Sequence, residues 1–396
     1  MITPEELGQR LRQAREEAGI KQEEAAAVLG LDATAIAKIE HGKRGVGALE
    51  LMRLVTLYKV SVSELLADAS QGEVVHLRIA MRVGAAPDTK TAAMQQRLQQ
   101  IIAADRWLRQ HVQGPSSLSL WNSTVSSLPL NITPYDRGYT CAIVFRNRYG
   151  LAASPIADVA VLADEIGVLV SRLPLGDHQA PDGCSALDPV SGLAYVLINS
   201  DKPRTRRRFT IAHELGHLVL GHLHEGEMVL DETLNASHPH ETEANAFAAG
   251  LLMPEEGVRA SLTRLRARLG AQAQPLEWAV WLCASFGVSE EAAAYRIMNL
   301  GLPEAGGGAI IEALKAARED SDILRHTRAR LGLAPVMSDT ERGVTEVGPA
   351  MRARIARALE DGLITVQQAA EMMHVPLQQA YRWIIESGLR VRDADV

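Results

Sequence analysis

The run RRFTIAHELGHLVLGH, residues 207–222, limits what this chain can become more than any other stretch. Its apolar positions Ile211, Ala212, Leu215, Leu218 and Val219 predict a helix buried on most sides, yet that helix also carries His213, Glu214 and His217. Buried polar side chains need partners, and a metal ion is the economical one for two imidazoles. Residues i and i+4 of a helix lie about 40° apart, so both rings point to one side and can share a tetrahedral zinc ion. Glu214 sits beside that position without being needed as a ligand. It is suited to take a proton from zinc-bound water, whose pKa the ion lowers towards about 7. The chemistry implied is hydrolysis of an amide. A helix with surface histidines is the competing reading, and the apolar flanks argue against it.

A third ligand has to come from elsewhere. A longer HExxHxxGxxH pattern needs His at 223, but Leu223 stands there and His222 is one residue out of register. The next helical segment, HETEANAFAAGLLMP, is the better source. Glu243 lies among Ala244, Ala246, Phe247, Ala248, Leu251 and Leu252, a placement that calls for a partner charge. Glu241 competes from nearer the exposed start of the helix, and Asn245 is placed to orient a ligand histidine. The expected set is therefore His213, His217 and Glu243 on zinc, with Glu214 as catalytic base.

These two motifs together resemble the ImmA/IrrE family of bacterial metallopeptidases. The resemblance extends upstream through IADVAVLADEIGVLV and SGLAYVLINSDKPRTRRRF and downstream through LCASFGVSEEAAAYRIMNLG, and covers residues 90–302. It implies a small α+β zincin-like metallopeptidase domain. In that family the two His, the Glu between them and the Glu before Ala-Asn hold zinc and do the chemistry, which carries over to His213, His217, Glu214 and Glu243. The resemblance further implies a protein substrate, a repressor of the helix-turn-helix type, in stress response or mobile-element control.

The N-terminal segment 1–70 reads as a bundle of short helices. Leu7, Leu11 and Ala14 keep helical spacing, Gly30 makes a tight turn, Asp32 is an N-cap, and Ile36 and Ile39 face inward, with further apolar stripes at Leu49–Tyr58 and Val62–Leu66. The segment resembles the Xre/Cro-type repressor fold. That resemblance sends helix 33–40 into the major groove of DNA, with Thr34, Ala35 and Lys38 facing bases and Gln22, Lys43 and Arg44 facing phosphates. Such readers commonly dimerise, so a homodimer is expected. The charge balance is a counterweight: residues 1–70 hold nine Lys and Arg against eleven Asp and Glu, which leaves a protein–protein module as the alternative.

At 396 residues the chain exceeds one ordinary core. The expected class is mainly α, divided as a helix-turn-helix domain (1–70), a linker (71–89), the peptidase domain (90–302), a linker with helices (303–348) and a helical C-terminal domain (349–396). The last holds a second helix-turn-helix pattern, turning at His374-Val375 and followed by Tyr381, Arg382 and Trp383. Inside the peptidase domain 90–112 reads as an amphipathic helix, 114–129 as a Ser/Pro/Gly-rich loop, and Cys141–Phe145, Gly167–Leu173 and Ala194–Asn199 as strands. Three cysteines without a CxxC pair suit a reducing compartment. With a charged N-terminus and no apolar run of membrane-spanning length, a cytoplasmic protein is expected. The net charge of −7 means that DNA affinity has to come from a local patch.

Three features stay open at this level. Cys184 is either an inhibitory fourth zinc ligand or an ordinary loop cysteine. His222, His224, His238 and His240 either stabilise an oxyanion or form a solvated cluster, and the basic run KPRTRRR (202–208) binds an acidic partner or neutralises nearby carboxylates. Function divides likewise. The chain is either a zinc endopeptidase that cleaves a regulatory protein or a non-catalytic Xre-type transcription regulator that keeps the peptidase fold as a sensor. Retention of Glu214 favours the enzyme, since a sensor needs no base beside its metal. A weaker third option is a repressor that cleaves its own linker near 71–85.

Overall fold

The computed structural model describes residues 3–58, 60, 78–79, 89–112, 132–176, 180–223, 227–230, 238–270, 273–302, 308–334 and 341–391. The chain divides into two compact units, Met1–Val75 and His76–Val396.

The first unit contains α1 (Pro4–Glu17), α2 (Gln22–Leu29), α3 (Ala33–Glu40) and α4 (Ala48–Tyr58). Thr3 and Glu6 close a reciprocal capping box ahead of Pro4, so α1 begins where its sequence supplies both cap partners. Asp32 caps α3, its carboxylate accepting from the Ala35 amide at 2.7 Å. Leu11, Ala25, Ile36, Ile39, Leu54 and Tyr58 form the core between these helices. Under it lies a buried pair, Arg15 with Glu40, whose second oxygen also accepts from Gln22 at 2.8 Å. The expected helix at Val62–Leu66 falls outside the described residues.

The second unit is built on a five-stranded sheet in the order β1-β5-β3-β4-β2. Its elements run β1 (Arg78–Ile79), α5 (Thr89–His111), α6 (Pro134–Arg148), α7 (Val159–Glu165), β2 (Val168–Leu173), β3 (Gly183–Leu187), β4 (Ala194–Asn199), α8 (Arg204–Val219), β5 (Glu227–Leu230) and α9 (Pro239–Leu252). Then follow α10 (Glu255–Leu269), α11 (Pro275–Phe286), α12 (Glu290–Asn299), α13 (Gly308–Glu319), α14 (Ser321–Arg330), α15 (Pro349–Glu360), α16 (Val366–Met372) and α17 (Leu377–Glu386). β2 runs parallel to β4, and β3 runs antiparallel to both β4 and β5. All six residues of β4 are buried, as befits a strand paired on both sides and covered by helices.

Mainly helical architecture with a small α+β part is what the structure has, with one local correction. Cys141–Phe145 is not a strand but part of α6, which buries Cys141, Ala142 and Phe145 and starts at the Thr133 cap with Pro134 in the first turn. Its short apolar run carries no flanking alternation, and the periodicity of a run that short does not separate a strand from a buried helix turn. The loop at 114–129 lies outside the described residues. The C-terminal helices set apart by sequence lie in the same compact unit as the sheet. Asp105 of α5, fully buried, accepts from Tyr195 of β4 at 2.7 Å and from Arg354 of α15 at 3.0 Å, so one carboxylate joins three elements.

Candidate metal centre

α8 is the middle of the second unit. Ile211, Leu215, Leu218 and Val219 enter the main core, while His213, Glu214 and His217 are 3%, 0% and 2% exposed. α9 packs across α8 and brings its own core residues, among them Phe247, which meets Phe145 of α6 edge-to-face at 5.6 Å. Burying a phenylalanine contributes about 2–3 kcal/mol, so three helices are held together around a polar seam.

Within that seam His213 Nε2 and His217 Nε2 stand 3.0 Å apart. The carboxylate that joins them belongs to Glu241, at 3.3 Å from His213 Nε2 and 3.5 Å from His217 Nε2. Among the described residues these three are the group whose ligand atoms come together as a metal site requires. The donor set fits zinc. Two nitrogens and an oxygen on a tetrahedral ion, with bonds of about 2.0–2.1 Å, lie about 3.3 Å from one another. Burial pushes the His217 imidazole down to about 4, so its lone pair is free at neutral pH. Burial raises Glu241, but hydrogen bonds with His213 and His217 outweigh it and hold the carboxyl well below the usual carboxylate range.

Glu243 stands elsewhere. Its carboxylate accepts from Arg137 Nη1 at 3.0 and 3.2 Å and from His222 Nε2 at 2.8 Å. The reason is helical geometry: residues two apart point about 200° around the axis, so Glu241 and Glu243 of α9 cannot address the same point. Glu241 and Asn245, four apart, can. Asn245 Oδ1 lies 3.0 Å from His213 Nδ1, which fixes that ring with Nε2 turned to Glu241. The burial of Glu243 among apolar neighbours is explained by Arg137 and His222. That the partner is an arginine on another helix is not visible in local sequence.

Glu214 accepts a hydrogen bond from the Ser185 hydroxyl of β3. Nothing in the spacing of Ser185 singles it out; only strand pairing brings β3 beneath α8. The neighbouring Cys184 is buried and its thiol is pushed far up, by burial first and by the charge of Glu214 second. It does not belong to the ligand group. Cations of the basic run 202–208 bond within the unit, Arg207 to the carbonyls of Ser200 and Lys202. Lys202 and Arg206 pair with Asp182, and Arg208 donates to the carbonyls of Ile156 and Ala157. His240 stacks on His222 with ring centroids 4.2 Å apart. His224 is outside the described residues.

Residues 163–298 match the IrrE N-terminal-like domain. Residues 6–67 match a helix-turn-helix domain. The radiation response metalloprotease IrrE of Deinococcus radiodurans is 36% identical over 120 residues, 29% of this chain and 34% of that protein. Its namesake in Deinococcus deserti is 36% identical over 103 residues, 25% of this chain and 34% of that one. An uncharacterized immunity region protein of Bacillus phage phi105 is 38% identical over 61 residues, 15% of this chain and 39% of the phage protein. The chain thus spans between about a third and two fifths of the length of these relatives. The IrrE-like domain takes in α8, α9 and the strands β2 to β5, whereas α6 with Arg137 precedes the matched segment.

In the helix-turn-helix unit, Thr34 and Lys38 are exposed on α3, Ala35 is half-buried and Lys43 is exposed beyond the helix. Gln22 and Arg44 are engaged inside the unit, with Glu40 at 2.8 Å and Glu50 at 2.7 Å respectively. No helix among the described residues is long and apolar enough to cross a membrane.

Proposed function

We propose that this chain is a zinc-dependent endopeptidase in which His213, His217 and Glu241 hold the metal, and that its helix-turn-helix unit binds DNA. The observation that carries the reading is the convergence of the two Nε2 atoms and the Glu241 carboxylate next to the buried Glu214. When bound, zinc polarises the scissile carbonyl and lowers the pKa of water. The rest falls to the chain. Glu214, held by Ser185, accepts the proton of the attacking water and passes it to the leaving amine nitrogen. Asn245 keeps the His213 ring in one tautomer. The low-dielectric surroundings of α8 and α9 strengthen every charge interaction in the site.

Glu243, the ligand expected from sequence, has its carboxylate engaged by Arg137 and His222, which supports Glu241 in its place. The substrate is a regulatory protein, in our reading a repressor of the helix-turn-helix class. Relatives named for radiation response and for a phage immunity region support a regulatory setting. Thr34, Ala35 and Lys38 of α3 read bases, Lys43 meets phosphate, and Gln22 and Arg44 have to exchange their internal partners to do so. A homodimer on paired half-sites and a cytoplasmic location complete the proposal.

The decisive experiment is elemental analysis of the full chain beside Glu241→Gln, Glu243→Gln and Glu214→Gln. One zinc per chain in the wild type, Glu243→Gln and Glu214→Gln, with loss in Glu241→Gln, is the expected pattern. Hydrolysis should disappear in Glu214→Gln although its zinc remains. Zinc lost from Glu243→Gln and kept by Glu241→Gln would return the third ligand to Glu243. A metal-free wild type would sink the enzyme reading and favour the transcription regulator.

A further inference from the structure

The zinc site leaves His222 and Glu243 without a direct part, yet both are buried, His222 against the His217 ring and Glu243 against His222. His222 follows α8 through a left-handed residue, Gly221 at φ +74°, and its amide donates back to the His217 carbonyl at 2.9 Å. This end-of-helix turn, which a glycine adopts without strain, folds His222 against the ring of His217. The two Nδ1 atoms are 3.0 Å apart. On the far side His222 Nε2 is 2.8 Å from Glu243, whose two oxygens also accept from Arg137.

We propose that His222 and Glu243 are positioning residues for the metal, a relay that fixes the ring and tautomer of the ligand His217. This rests on the metallopeptidase reading above. The hydrogen bonds leave one arrangement. A His217 that gives its Nε2 lone pair to the metal keeps its proton on Nδ1, and that proton goes to His222 Nδ1. His222 then carries its own proton on Nε2 and donates it to Glu243, a carboxylate that only accepts. Arg137 holds Glu243 from behind. α9 therefore addresses the two ligand histidines from two of its faces: Asn245 supports His213 directly, and Glu243 supports His217 through one intervening imidazole. The arrangement accounts for a buried Glu243 that is not a ligand and for a histidine one residue out of register with the longer zinc motif.

The test uses the full-length chain and metal alone as probe. Zinc affinity is measured by competition with a chromophoric chelator, and the cobalt-substituted protein reports the ligand field by its visible d–d bands. His222→Leu should still take up one zinc at saturation, with affinity reduced about 10–100-fold and displaced cobalt bands. His222→Gln, whose amide can accept from His217 and donate to Glu243, should recover most of both. Glu243→Leu should match His222→Leu, and the double variant should lose little more, because residues acting through one chain of bonds are not additive. Unchanged affinity and bands in both His222→Leu and Glu243→Leu would overturn the relay, as would losses that simply add. No zinc at saturation in His222→Leu would make His222 a ligand and overturn it too. Should His222→Leu not fold, Glu243→Leu against His222→Gln carries the same comparison. A wild type that binds no zinc is a different result, which removes the metallopeptidase reading itself.

Discussion

Arg146 shows how much one buried side chain of this fold can organise. It leaves α6 and donates to the carbonyls of Ala152 at 2.8 Å, Leu151 at 3.1 Å and Ser154 at 2.6 Å, and to that of Leu251 in the last turn of α9. Burial pushes its pKa down, but a guanidinium stays charged at any ordinary pH. The charge also opposes the negative end of the α9 dipole. Arg146→Met keeps much of the volume and strands the buried Leu251 carbonyl, at roughly 1–3 kcal/mol for an acceptor that water cannot reach, while the carbonyls of Leu151, Ala152 and Ser154 are only partly buried. We expect a loss of about 1–3 kcal/mol in urea unfolding of the full chain, with Arg146→Lys intermediate. A wild-type midpoint for Arg146→Met would mean that solvent replaces those bonds at little cost.

Between elements, the decisive contact is the crossing of α6 and α9. A Cβ on Gly138 would lie 2.0 Å from the Glu243 carbonyl oxygen and within 3 Å of two further backbone atoms of the same residue. Helix propensity favours Ala over Gly by about 1 kcal/mol, so an exposed Gly138 would gain from the change. Backbone overlap works the other way, and overpacking costs typically about 1–3 kcal/mol or more when no side chain can move aside. Sterics win. Gly138→Ala should lower the melting temperature of the second unit and weaken zinc binding as well, since α9 carries Glu241, Glu243 and Asn245. Calorimetry with a zinc titration checks both. A more stable variant with intact zinc affinity would show that the helices separate freely.

At the scale of the molecule, the two units have separate cores and separate buried ion pairs, Arg15 with Glu40 in one and Asp105 with Arg354 in the other. Only the second holds the proposed metal. A ligand that binds the folded state alone stabilises it by mass action, about 4 kcal/mol at a thousandfold excess over Kd. Chelation should therefore shift one of two thermal transitions downward and leave the other in place. The same treatment should not alter the salt-dependent affinity for duplex DNA that is proposed for the first unit. A single transition that moves as a whole, or DNA affinity lost with the metal, would show the units to be coupled.

Much of this protein is legible in one dimension because the relevant physics is local. Spacing alone puts His213, Glu214 and His217 on one buried helix, cap residues mark where α1 and α3 begin, and apolar periodicity outlines the helix-turn-helix bundle. Where the pattern is short, as at Cys141–Phe145, a strand and a buried helix turn look alike in sequence, and the packing of α6 against α9 decides. The proposed third ligand is the clearest case. Glu241 and Glu243 differ by two positions and both lie near the start of one helix, but the rotation of α9 against α8 turns one towards the histidines and the other towards Arg137. That rotation is set by Gly138 against the Glu243 backbone and by Phe247 against Phe145, contacts between residues far apart in the chain. Sequence determined which residue types could do the chemistry; tertiary structure decided which of them meet, because rotation about a helix axis is a property of packing and not of spacing.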